Sequence, residues 1–207
     1  MIGAETAAIF LHYSNNGQGI TDLDGELIDY SGRDFREFMA KGFDGHHATL
    51  ADFELQLSTL FPEARLKRVI EVRGADAGGP DMLCALPALW KGILYDAAAR
   101  KSAWALCDGW TQKDREKMWD DVSRTALDAK VGGTSMLELA QELFRIAEGG
   151  LQRQAKLSKK GNDETFYLKK MKWLLFDAKK SPGKILLEQW NGEFAGDIEK
   201  YLAATKY

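Results

Sequence analysis

The segment that most constrains the fold is an apolar run with charge set into it, Leu66 to Arg73, bounded by Pro62 before and Gly74 after. Val69, Ile70 and Val72 are β-branched, so the run suits a strand. Alternation puts Leu66, Ile70 and Val72 on one face with Arg68, and Lys67, Val69, Glu71 and Arg73 on the other. One face is core-like and the other carries charge. Glu71 and Arg73 stand about 7 Å apart at their backbones by strand rise. They can therefore hold opposite ends of one amino-acid ligand, Arg73 taking a carboxylate in a bidentate fork and Glu71 an ammonium or a metal. The same two residues also read as an ion pair on a half-solvated sheet face.

Upstream, Ala7 to Tyr13 reads as a short strand, and Asp24-Gly25 marks a hairpin before Glu26 to Tyr30. Ser31 can cap a helix bearing Phe35, Phe38 and Met39, with Gly42 past its end. His46 and His47 are adjacent, point apart and have no further ligand at metal spacing, so a solvated loop is expected there. Thr49 with Asp52 opens a helix carrying Leu50, Phe53, Leu57 and Leu60, stopped by Pro62.

Downstream, Gly74 to Pro80 is a glycine-rich turn without a phosphate-loop pattern, leading to a helix from about Leu86. From there the pattern is helical almost throughout. Thr111 with Asp114, Ser135 with Glu138, and Ser181 with Pro182 mark helix starts. Met136, Leu137, Ala140, Leu143, Phe144 and Ala147 form one apolar stripe; Phe166, Met171, Leu174 and Leu175 form another. Lys156 to Lys160 reads as a solvated junction, and Trp173, Trp190, Phe194 and Tyr201 as packing residues.

These elements predict an α+β fold, with a small mostly antiparallel sheet in the N-terminal third and a helical C-terminal half. The expectation is a single domain over residues 1–207, its sheet within 1–75 and its helical part within 83–207. At 207 residues, 45% of them hydrophobic, one core is affordable. A net charge of -3 argues against a nucleic-acid partner. Cys84 and Cys107 lack metal or disulfide spacing and read as buried free thiols in a reducing compartment. With neither a signal-peptide pattern at Met1 to Phe10 nor ~18 consecutive apolar residues, no membrane partner is expected and a cytoplasmic location is.

Ser58 to Arg68, Glu71-Val72-Arg73-Gly74-Ala75-Asp76, and Leu83-Cys84-Ala85-Leu86-Pro87-Ala88-Leu89-Trp90 running on to Gly92-Ile93-Leu94-Tyr95-Asp96 form a long, ungapped string. Together with Asp24 to Met39, Asp163-Glu164-Thr165 and Trp190-Asn191-Gly192-Glu193, it resembles the C-terminal portion of glutamate–cysteine ligase of the plant and proteobacterial type. The resemblance implies part of a glutamine synthetase-like carboxylate–amine ligase fold, with ATP and Mg2+ as cofactors and glutamate and cysteine as substrates. It implies ATP-dependent joining of the glutamate γ-carboxylate to the cysteine amine, the first step of glutathione biosynthesis. Most ATP and magnesium ligands are then expected in an N-terminal portion or companion chain. Arg73, Glu71, Asp76 and Lys67 are the substrate-binding candidates, with Arg65 and Arg68 weaker ones and no catalytic residue assigned. Many relatives carry Trp-Arg-Arg where this chain has Pro80-Asp81-Met82. That departure leaves open a non-catalytic binding or assembly module, or a ligase for another amino-acid pair.

Overall fold

The structure is a computed structural model and describes residues 35–43, 45–59, 63–66, 68–75 and 78–205. The expected strands at Ala7 to Tyr13 and Glu26 to Tyr30, and the Ser31 cap, lie outside the described residues. The chain divides into two compact units, Met1–Ala75 and Asp76–Tyr207. Helices dominate, with small two-stranded antiparallel sheets, so the α+β reading holds.

In the first unit, α1 (Phe35–Lys41) buries Phe35 and Phe38. Gly42 follows in the left-handed region (φ +70°), and its N–H donates to the Phe38 carbonyl at 2.9 Å, closing the helix. Helix α2 (Leu50–Thr59) starts at the expected capping box. Thr49 donates from its N–H and hydroxyl to Asp52 Oδ2, both at 2.7 Å, and Asp52 N–H returns a bond to Thr49 Oγ1. Phe53 brings its ring to 6.2 Å from that of Phe35, which joins the two helices.

The central run differs from the expected strand. Ala64–Leu66 (β1) and Ile70–Val72 (β2) form an antiparallel hairpin in which Ala64 faces Val72, Arg65 faces Glu71 and Leu66 faces Ile70. The Arg73 N–H continues the ladder to the Glu63 carbonyl at 2.8 Å. The chain thus reverses within what reads as a single strand from Leu66 to Arg73. Reversal sets the Arg65 cation against the Glu71 carboxylate and leaves Arg68 exposed at the tip. The face expected to be core-like is open among the described residues, with Leu66 82% and Ile70 60% exposed.

In the second unit, helix begins earlier than expected, with α3 (Pro80–Leu83) placing Pro80 in its first turn. Then come α4 (Ala85–Leu94), α5 (Ala97–Ala105), α6 (Gln112–Thr125), a two-residue hairpin of β3 (Lys130–Val131) and β4 (Thr134–Ser135), and α7 (Met136–Gln154). A 3-10 turn (Glu164–Leu168), α8 (Lys169–Lys172) and a π-helical stretch (Trp173–Ala178) lead to α9 (Pro182–Asn191) and α10 (Ile198–Thr205). Thr111 and Ser135 make the expected capping boxes with Asp114 and Glu138, and Ser181 caps α9.

The core of this unit is built on α7. Phe144 and Leu151 pack with Ala88 of α4, Leu168 and Leu175, and Leu137, Ala140 and Met171 close around them. Helix α4 crosses α7 at two glycines. A Cβ on Gly92 would stand 2.2 Å from the Ala147 carbonyl oxygen, and one on Gly150 would stand 1.9 Å from that of Gly92. The helices therefore touch backbone to backbone. Phe166 and Trp173, expected to pack, are 46% and 43% exposed, whereas Phe194 is buried and meets Tyr201 edge-on. Cys84 is exposed and Cys107 partly so, because both fall in the short breaks after α3 and α5 rather than on a buried helix face; the expectation of buried thiols does not hold.

Candidate functional site

The charged side of the β1–β2 hairpin gathers three of the singled-out side chains. Arg65 lies at the centre of β1 and Glu71 at the centre of β2, directly opposite each other by register. Arg65 donates to Glu71 Oε2 from Nε at 2.9 Å and from Nη2 at 2.8 Å. Arg73, two residues along the same strand face, donates from Nη1 to the other oxygen, Oε1, at 3.1 Å. The three side chains are partly sheltered, Arg65 most of all at 16% exposure. At the rim, Glu63 folds its carboxylate over Gly74, where any Cβ would stand 1.8 Å from Oε2.

This geometry redistributes the roles open to these residues. Both Glu71 oxygens accept from guanidinium groups, so the carboxylate orients Arg65 and Arg73. A guanidinium fixed in this way can meet a further carboxylate or phosphate with little ordering cost, because its planar fork is already set. Arg68 lies exposed in the reversal between the strands. Lys67 and Asp76 lie outside the described residues. The cross-strand partnership of Arg65 was hidden in the sequence because the reversal carries no glycine, proline or asparagine to announce it.

Among the described residues no three His, Cys, Asp or Glu side chains converge into a metal-binding cluster of their own, so magnesium would draw its ligands from water, substrate phosphates and other residues.

The other singled-out motif residues hold the second unit together. Lys91 of α4 reaches both carboxylate oxygens of Glu164, at 2.6 and 2.5 Å. Asp96 caps α5 by accepting from the Ala99 N–H at 2.7 Å and takes a two-pronged bond from Arg153 of α7, at 3.1 and 2.8 Å. Arg153 and the Ala99 N–H together hold the Asp96 carboxyl down at about 2. Asp163 accepts from the Thr165 N–H at the start of the 3-10 turn. Gly92, Asp96 and Glu164 thus fasten α4, α5, α7 and the 3-10 turn.

The family model described as glutamate-cysteine ligase family 2 (GCS2) matches residues 13–203, and the chain belongs to that family. Among its relatives, the chloroplastic glutamate–cysteine ligase of Solanum lycopersicum is 34% identical over 185 residues, covering 88% of this chain and 34% of the relative. The chloroplastic enzyme of Arabidopsis thaliana shows the same identity over the same shares of both chains. Chloroplastic glutamate–cysteine ligase A of Oryza sativa subsp. indica is 40% identical over 132 residues, 62% of this chain and 27% of the relative. The chain spans about a third of the length of the curated relatives it matches. These names overturn the cytoplasmic expectation, since the relatives are plastid proteins. An organelle-targeting segment is removed from the mature protein and leaves no mark on the fold, so composition and packing carry no information about compartment. Among the described residues no helix is long and apolar enough to cross a membrane.

Proposed function

We propose that this chain forms part of a glutamate–cysteine ligase, in a glutamine synthetase-like fold, and supplies a seat for an amino-acid carboxylate. The family match across residues 13–203 carries the reading. In the reaction, the γ-carboxylate of glutamate takes the terminal phosphoryl group of ATP. The amine of cysteine then attacks the acyl phosphate, forming the amide bond and releasing phosphate. Most ligands of magnesium and ATP are assigned to residues other than those described, since the chain spans about a third of its relatives' length. Arg73 is the proposed carboxylate ligand, with Glu71 holding its fork and Arg65 completing the cationic cluster. Lys67 and Asp76 remain proposed contributors to the same seat. A non-catalytic module, or a ligase for another amino-acid pair, is favoured by one observation. Asp81 stands in the first turn of α3, a negative charge where the family resemblance leads to the expectation of arginine.

The test is release of γ-glutamylcysteine and phosphate by the native protein carrying this chain, supplied with ATP, magnesium, glutamate and cysteine. Arg73→Lys keeps the charge and loses the fork, so it should weaken substrate use by about 1.5–3 kcal/mol, the range for a charged hydrogen bond, with the melting temperature unchanged. Unchanged kinetics with a large loss of stability would reduce Arg73 to a structural partner of Glu71. Absence of product from the native protein would favour the module.

A further inference from the structure

Residues 156–184 hold nine lysines, no arginine and three acidic residues, giving +6 in a chain whose net charge is -3. Within them, Phe166, Lys169, Lys170 and Trp173 recur at spacings of three and four through the helical stretch 164–178, which sets them on one face. Lys169 Nζ lies 4.3 Å from the centre of the Phe166 ring, and Lys170 Nζ lies 4.4 Å from that of Trp173. The rings nevertheless stay open to solvent, as does neighbouring Tyr167 at 44% exposure.

The acidic residues do little to offset this charge. Glu164 is engaged by Lys91, so Asp163, which accepts from Thr165 and keeps its charge, and Asp177 are the two carboxylates set against nine lysines. Among the lysines, Lys172 pairs with Glu148 and Lys180 with Glu188. The loop before Glu164 adds exposed Lys156, Lys159 and Lys160 around Leu157, which is 68% exposed. That loop is closed by the Leu157 to Asp163 bridge, with Ser158 N–H donating to the Asn162 carbonyl at 2.8 Å.

We propose that this lysine and aromatic face, residues 156–173, docks peripherally on an anionic lipid bilayer. Charge complementarity selects the partner, and the kind of cation narrows it. Lysine is a flexible point charge suited to phosphates at no fixed spacing, whereas recognition of a defined carboxylate or nucleic-acid phosphate favours the rigid fork of arginine, absent from this segment. At a bilayer the rings settle at headgroup depth while the lysine ammoniums reach outward to the phosphates. The proposal is independent of the ligase reading and adds surface contact to a chain for which no membrane partner was expected.

The test is co-sedimentation of the native protein with vesicles of phosphatidylcholine alone or mixed with phosphatidylglycerol. Binding is expected only to the mixed vesicles and should weaken as salt screens the charge. Each lysine near such a surface contributes about fivefold, so the double variant Lys169→Glu with Lys170→Glu should bind about 25-fold more weakly or worse. Trp173→Ala should weaken binding while leaving the salt dependence intact. If either variant fails to melt as the parent does, Lys156→Glu with Lys159→Glu in the exposed loop replaces it. No binding at low salt, equal binding to neutral vesicles, indifference to charge reversal, or stronger capture by single-stranded RNA would overturn the proposal.

Discussion

The carboxyl of Asp96 shows how one side chain can serve two elements. It caps α5 and clasps Arg153 of α7, and those bonds lower it from 3.8 to about 2. A group depressed in the folded state stabilises the fold at pH above its unfolded value and loses that contribution as pH falls through the folded one. The stabilisation is therefore complete above 3.8 and disappears toward about 2. Arg153→Met should bring Asp96 back toward its ordinary value. The stability gap between variant and parent, followed by urea denaturation across this range, should be widest near neutral pH and close on the acid side. A gap that stays the same across this range would show that Arg153 acts mainly through its aliphatic packing, which does not depend on pH. Asp114 and Glu138 are lowered by their capping bonds to Thr111 and Ser135, so acid weakens those helix starts too. Both caps were legible in the sequence, since a cap is a bond between residues three apart. The Asp96 to Arg153 clasp was not, because 57 residues separate its partners.

Among the elements, α4 and α7 define the second unit through the closeness of their crossing. A methyl group on Gly92 or Gly150 would have to push a backbone carbonyl aside, and backbone cannot rotate away as a side chain can. Gly92→Ala and Gly150→Ala should each destabilise by about 1–3 kcal/mol, the usual cost of overpacking, despite alanine's better helix propensity. Thermal melting gives the answer, and a raised melting temperature would mean that the helices separate at little cost. The apolar stripe of α7 was readable from its spacing. Its partner helix and the glycine contact were not, because periodicity names a face without naming what covers it. The β1–β2 hairpin makes the complementary case. β-branched residues correctly announced extended backbone, but the reversal between Leu66 and Ile70 is held by cross-strand bonds and by the Arg65 to Glu71 pair, which no local turn signal foretells.

For the molecule as a whole, burial is uneven. In the second unit Phe144, Ala147, Gly150 and Leu151 of α7 and Ala85, Ala88, Gly92 and Ile93 of α4 are buried, while α6 contributes no buried residue. Amide hydrogen exchange in the native protein should accordingly be slowest over Ala85–Leu94 and Phe144–Leu151 and clearly faster across Gln112–Thr125. Protection of α6 equal to that of α7 would place the stable core elsewhere. Local rules acting over three or four residues settled the helix starts at Thr49, Thr111, Ser135 and Ser181, the apolar stripes and the α+β class, while the long motif strings carried the family. Tertiary structure alone decided that Glu71 serves two arginines, that Gly92 meets α7, that Cys84 is exposed, and that lysines lie over open aromatic rings at Phe166 and Trp173. Each of these depends on which surfaces meet or stay open once the elements pack, and pairings across tens of residues leave no periodic trace in the chain.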